Sequence, residues 1–262
     1  MSLLDDAGLF GRQWAASYDG PGNPDPAAAV EFLAGLAAGG PALELAIGSG
    51  RVALPLAARG IPVEGIEASP EMVALLRGKP GGDAIPVTVG DMAEVGRPGP
   101  YPLVYLVFNT LFNLTRHGAQ EECFGNVARV LAPGGAFVVE AFVQDDADID
   151  RLEREVQVWS VTDTAVTIRL HQFDRAAQTF VRQTVTLTDG GVRLQPFGMH
   201  YRLPHQLDEL AAAAGLRLEA RYADWDRSPF GTDSRSHVSV YRAPGPIRSA
   251  WSRVPTSGRS PR

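Results

Sequence analysis

From residue 26 to residue 143, short apolar runs alternate with stretches of helical period, and this alternation limits the chain to few folds. The runs are ALELAI (42–47), IPVEGIEA (61–68), AIPVTVGDM (84–92), YPLVYLVFNT (101–110) and AFVVEAFV (136–143). The fourth is nearly continuous in apolar residues, as a strand covered on both faces must be. Between the runs the pattern predicts helices over 26–38, 52–59, 70–76 and 119–131. Ser69 is placed to cap the third of these, with Pro70 at its first position. The Pro133-Gly134-Gly135 turn stops the fourth. Strand and helix in strict alternation predict an α/β fold: a doubly wound, mostly parallel sheet with helices on both faces.

The pattern changes after residue 150. EVQVWSVTD, AVTIRLHQFD, TFVRQTVTLTD and VRLQPFGMHYR read as antiparallel strands joined by polar turns, an insertion at about 155–201. A helix over 204–214, a strand over 216–222 and a closing strand SHVSVYR then resume the main fold. The expected organisation is an N-terminal lid segment at 1–25, a main domain at 26–242 carrying the insertion, and a tail at 243–262. Pro, Ser, Gly and Arg dominate that tail, so it is expected to be disordered.

Net charge is −6, which repels a polyanion, and no basic patch precedes the last twenty residues, so nucleic acid is an unexpected partner. The single cysteine, Cys123, rules out an intrachain disulfide and a cysteine zinc cluster, and no metal site is expected. No apolar run reaches 18 residues, so no membrane span is expected. The start, MSLLDDAGLFGRQW, has early acids and no basic segment before an apolar one. That is not the pattern of a signal peptide, and a cytoplasmic location is the default.

In Gly48-Ser49-Gly50 the chain leaves a strand and enters a helix, which places a ligand at the carboxyl ends of the strands. Two nucleotide chemistries fit this turn. The string from Gly48 to Ala53 formally matches the dinucleotide fingerprint, a weak signal alone. Three acids separate the candidates. Glu44 lies four residues before Gly48, a poor neighbour for a pyrophosphate and a good one for an amine. Glu67 ends the next strand, where it can accept from both ribose hydroxyls of either cofactor class. Asp91, in Gly90-Asp91-Met92, can accept from an adenine amine while Met92 covers the ring. An amine, a ribose and an adenine without phosphate describe S-adenosylmethionine.

ELAIGSGRVALPLAARG, GIEASPEMVALL, GDM, LVFNTLFNL and RVLAPGGAFVVE resemble the successive motifs of class I S-adenosylmethionine-dependent methyltransferases. The resemblance covers about residues 26–142, and PHQLDELAAAAGLRLEARY is similar to the late helix and strand of that family. Where the family often has a third glycine, this chain has Ala46. The resemblance implies roles residue by residue. Glu44 lies near the methionine amine, beside the turn of Gly48 and Gly50. Glu67 holds the ribose, and Ala68 and Met72 lie along adenine and ribose. Asp91 and Met92 meet the adenine, and Asn109 lies by the sulfonium. Tyr18 belongs to a segment similar to the lid of small-molecule members.

Methyl transfer from a sulfonium needs alignment and exclusion of water, and a base only when the nucleophile must lose a proton. His117 and Tyr201 are the favoured candidates for that base, ahead of His200 and Glu140. The Asn/Asp-Pro-Pro-aromatic motif of enzymes that methylate DNA bases or protein glutamine is absent: the matching place reads FNTL. The insertion resembles antiparallel additions in small-molecule methyltransferases, where it roofs the acceptor pocket and can pair two subunits. Arg169, His171, Phe173, Arg182, Phe197, Trp225, Arg227 and Phe230 are candidates to wall that pocket. The expectation is therefore an enzyme that methylates an amine or hydroxyl of a small molecule, with a homodimer through the insertion as its candidate assembly. A nicotinamide-dependent oxidoreductase and a non-catalytic scaffold of the same fold are the competing readings.

Overall fold

The computed structural model describes residues 6–20 and 23–245. The tail expected to be disordered lies mostly outside them, as do residues 1–5, 21 and 22 of the lid segment. The main sheet has seven strands: β1 Ala42–Leu45, β2 Val63–Glu67, β3 Val87–Val89, β4 Tyr101–Leu106, β5 Leu131–Phe142, β10 Arg217–Tyr222 and β11 Ser236–Arg242. Their order is β10-β11-β5-β4-β1-β2-β3. β1 to β5 run parallel, and β11 is antiparallel to both β5 and β10. The order reverses between β1 and β4, and an open α/β sheet has its ligand crevice at such a switch point.

Helices cover both faces, so each central strand is buried twice. Along β4, Leu103 and Tyr105 enter one core while Val104 and Leu106 enter the other. α2 (Ala27–Ala37) and α3 (Ala53–Ala58) close the first face, and α5 (Ala119–Val130) with α7 (Pro204–Ala213) closes the second. Phe124 of α5 meets Phe137 and Tyr241 edge-on, with ring centroids 5.2 and 5.9 Å away. Truncating such a buried ring costs about 3–5 kcal/mol. Cys123, fully buried beside it, has its thiol pushed up to about 12 by burial and then by Asp91, so it packs as a hydrophobe.

The elements differ from the sequence expectation mainly at their ends. β3 is three residues long, because Gly90 and Asp91 already turn the chain: Gly90 N–H donates to Glu67 O (3.0 Å) and Ala93 N–H to Asp91 Oδ1 (2.8 Å). β5 starts at Leu131 rather than at 136. Tyr101 pairs with Leu131 and Leu103 with Ala136, so residues 132–135 bulge out of the ladder. α4 (Pro70–Arg77) has the expected cap, Met72 N–H donating to Ser69 Oγ (3.2 Å).

A second sheet holds four antiparallel strands: β6 Gln157–Val161, β7 Ala165–Asp174, β8 Thr179–Thr188 and β9 Gly191–His200. It follows α6 (Asp146–Arg154) and ends just before α7. One face packs inward through Phe173, Phe180 and Met199, which the register sets side by side. α1 (Leu9–Trp14) fills the gap between the sheets: Phe10 meets Phe197 of β9 at 5.5 Å, and Gly11 lies against Ser69 at the start of α4.

Candidate functional site

A cavity of about 590 Å³ opens at the carboxyl ends of β1, β2, β4 and β5, between them and the second sheet. Its floor begins with the turn after β1. Gly48 and Gly50 have φ of +56° and +76°. A Cβ on Gly48 would stand 3.2 Å from Met72 Cε, and one on Gly50 would collide with Leu76. Glycine at these positions therefore serves both the left-handed backbone and the close packing of α4. Ala46, on the cavity wall, also has a positive φ, +52°, which a non-glycine residue rarely adopts.

Glu67 ties this turn to α4. Its Oε2 accepts from Gly48 N–H and its Oε1 from Ser69 N–H, both at 2.9 Å. Burial pushes its carboxyl up, although these amides oppose the shift. Glu44 is buried behind the wall. Its Oε2 accepts from the Tyr105 hydroxyl at 2.9 Å. Burial, followed by the nearby charge of Glu67, moves its carboxyl up to about 8. Two buried acids that pair with no lysine or arginine among the described residues favour a ligand that brings cationic or donor groups.

The structure gathers most of the expected ligand residues on one wall: Tyr18, Gly48, Glu67, Ala68, Met72, Asp91, Met92 and Asn109. Glu44 and Gly50 stand behind it. Phe108 and Asn109, at the end of β4, are consecutive left-handed residues with φ of +57° and +62°. Two bonds hold this strained corner. Asn109 Oδ1 accepts from Phe142 N–H (2.6 Å), and Glu140 Oε2 accepts from Phe108 N–H (2.7 Å). Over the corner, the Arg51 guanidinium lies 4.4 Å from the Phe108 ring centroid and 5.9 Å from that of Tyr18. Arg51 also donates to Pro24 O (2.7 Å), while Ser49 Oγ and Lys79 Nζ both bond Asp19 (2.7 and 2.8 Å). The segment before α2 is thus strapped across the glycine turn.

The two favoured bases lie elsewhere. His117 is exposed, in a loop turned outward by Gly118 at φ +81° and by the Arg116–Glu122 ion pair. Tyr201 is buried in the core beyond the end of β9, its N–H bonded to Gln178 O (2.9 Å). Neither belongs to the cavity wall. Glu140 does. Its Oε1 accepts from Trp225 Nε1 (3.0 Å), and burial raises its carboxyl against the pull of Phe108 N–H and Trp225. From the second sheet the wall receives Trp159, Arg182, Phe197 and Met199. Phe10, Arg51, Phe108 and Trp159 escape the sequence reading, because packing of separate segments brings them to the site. Only the apolar stripe of the first helix could have hinted at Phe10. Among the described residues no group of three or more His, Cys, Asp or Glu could hold a metal, and no helix is long and apolar enough to cross a membrane.

A family profile described as a methyltransferase domain matches residues 42–135. No curated protein is significantly similar. Among solved structures, the CcbJ methyltransferase from Streptomyces caelestis is 37% identical, with 92% of this chain and all of that one aligned at a TM-score of 0.81. CalS10, an S-adenosylmethionine-bound amino pentose methyltransferase from Micromonospora echinaspora involved in calicheamicin biosynthesis, is 21% identical over 88% of this chain and 96% of its own, TM-score 0.63. The sugar N-methyltransferase KedS8 from Streptoalloteichus is 20% identical over 87% and 92%, TM-score 0.64.

Proposed function

The chain belongs to the class I S-adenosylmethionine-dependent methyltransferases, and we propose that it methylates an amine of a small molecule, with Glu140 receiving the proton. The cofactor fits the residues present. Glu44 and Glu67 are buried acids that form no ion pair among the described residues and favour an ammonium and ribose hydroxyls, and Asp91 with Met92 supplies an acceptor and an apolar cover. When bound, the cofactor supplies a methyl group activated by a sulfonium. Phe108 and Asn109 shape the neighbouring wall, and Tyr18, Arg51 and Phe10 exclude water from above.

The carrying observation is Glu140. It is the wall carboxylate on β5, on the far side of β4 from Glu67 and Asp91. Each of its oxygens accepts one bond from the protein and keeps a lone pair free. A carboxylate there draws an ammonium-bearing acceptor, and its raised affinity for protons suits it to take one from that nitrogen. The N-methyltransferase among the structural relatives agrees with this preference. Paired acceptors that differ only in amine or hydroxyl at the same carbon test it. Methyl transfer to the amine is the expected result, and transfer to the hydroxyl alone rejects it.

The second sheet supports a homodimer of this enzyme. Its outer face carries two apolar rows across the strands, Val158–Ile168–Val185–Leu194 and Val161–Val166–Leu187–Val192. Val158 and Leu194 are 67% and 61% exposed, and a contiguous apolar face of this kind fits a second copy of itself.

A further inference from the structure

The inner face of the second sheet carries two arginines, Arg169 and Arg182, that no acid among the described residues meets in an ion pair. The register places His171 of β7, Arg182 of β8 and Phe197 of β9 in one row, and Arg169, Thr184 and Gln195 in the next. Arg182 forms part of the cavity wall, its guanidinium 4.8 Å from the Phe197 ring centroid. Arg169 stacks on the indole of Trp159 at 3.2 Å, and Trp159 is wall as well.

Among the described residues, Arg182 and Arg169 make no ion pair. Arg182 Nε, Arg169 Nε, His171 Nδ1 and Thr184 Oγ1 are buried without a hydrogen-bond partner. The acids of neighbouring α6 are already engaged: Asp148 with Arg151 and Arg235, Asp150 and Glu153 with Arg175. Burial lowers the Arg182 guanidinium, and no carboxylate counters it. Burial, then Arg182 and Arg169, holds the His171 imidazole down to about 4. A partly buried guanidinium left unpaired is costly, and evolutionarily cheap apolar residues would fill a sheet face at lower cost. The planar fork of arginine matches a carboxylate or a phosphate, which would complete the cluster from the cavity side.

We propose that the methyl acceptor carries an anionic group, a carboxylate or a phosphate, bound by Arg182, the guanidinium of this cluster that reaches the cavity wall. The inference rests on the reading of this cavity as the acceptor site. The acceptor would then present an amine to Glu140 and an anion to the roof.

The test uses the full chain loaded with S-adenosylhomocysteine. Acetate and inorganic phosphate are titrated at constant ionic strength against chloride, with calorimetry and thermal unfolding as readouts. The wild type should bind one of the two in preference to chloride, and which one identifies the group. Arg182→Gln should weaken that binding about tenfold or more, the worth of a charge-assisted fork, with homocysteine-cofactor affinity unchanged. If Arg182→Gln fails to fold, Arg182→Lys keeps the charge without the fork and should still weaken binding severalfold. Binding of neither anion by the wild type overturns the proposal, as does undiminished binding by a folded variant. Acceptor pairs separate this failure from that of the amine reading. Equal methylation of neutral and anionic amines sinks only the anion site. Methylation of an anionic alcohol, with its amine counterpart inert, sinks only the amine preference.

Discussion

The indole Nε1 of Trp225 donates to Oε1 of Glu140 at 3.0 Å, joining the loop before β11 to the cavity wall at the end of β5. Trp225 is itself packed edge-on against Phe32 of α2, at 5.5 Å, so the donor is held rigidly. This bond pulls the Glu140 carboxyl down against its burial. Trp225→Phe should therefore shift the acidic limb of the kcat/KM profile to higher pH, because the base now ionises later. Glu140→Gln should lower kcat about 10²-fold or more, the usual worth of a general base, with cofactor affinity within twofold of wild type. An unchanged kcat in Glu140→Gln would remove Glu140 from the chemistry.

Glu67→Ala removes an acceptor from Gly48 N–H and Ser69 N–H as well as from the ligand. Two buried amides then lose their partner, at roughly 1–3 kcal/mol each. The expected result is a lower melting temperature together with a Kd for S-adenosylhomocysteine raised tenfold or more, about 1.4 kcal/mol. Titration calorimetry at 25 °C decides it, and an unaltered Kd would place the ribose elsewhere.

Glu44 gives the free protein a pH dependence of known sign. Its carboxyl titrates near 8 when folded and near the ordinary 4.5 when unfolded. The folded state thus holds the extra proton between these values, and stability falls as pH rises through that window. A cationic amine beside Glu44 favours the ionised form, so cofactor binding should release a proton below pH 8 and tighten as pH rises towards it. Calorimetry in two buffers of different ionisation enthalpy measures the release. Glu44→Gln should abolish the release and flatten the stability slope, leaving the part that the raised carboxyls of Glu67 and Glu140 contribute.

Ala46 occupies a left-handed conformation that costs a non-glycine residue about 1–2 kcal/mol, partly offset by the greater chain entropy that glycine loses. Ala46→Gly should raise the midpoint of urea unfolding slightly. Ala46→Val should lower it clearly, since a β-branched side chain tolerates this backbone poorly. Equal stability of the two variants would mean that the turn relaxes in solution.

Charges placed on the outer face of the second sheet should separate the subunits. Val158→Lys with Leu194→Lys is expected to convert a dimer to a monomer in sedimentation, with cofactor affinity retained. A wild-type chain that sediments as a monomer at high concentration would exclude this assembly.

Much of the main sheet was legible in the sequence because each of its elements announces itself locally. β4 is continuous in apolar residues since both faces are covered, and α4 carries its own cap in Ser69-Pro70. Glu67 and Asp91 reach the cavity wall for the same reason, because a strand end at a switch point fixes where its last side chain points, while Glu44, one residue before the end of β1, stands behind that wall. The rest of the cavity wall obeyed no such rule. His117 follows β4 as closely as a site residue should, yet Gly118 and an ion pair turn it outward. Tyr201 follows β9 and falls into the core, because strand alternation names a face without saying which face is buried. Glu140 reads as one acid in an apolar run, and only the bonds from Phe108 and Trp225 make it a wall carboxylate.

Sequence alone determined the strand–helix order, the glycine turn and the acids expected to face a cofactor, since these are properties of neighbouring residues. Tertiary structure decided what roofs the cavity. Arg182 and Trp159 reach it from strands more than a hundred residues beyond the glycine turn, through a cross-strand register and sheet packing that no local pattern encodes.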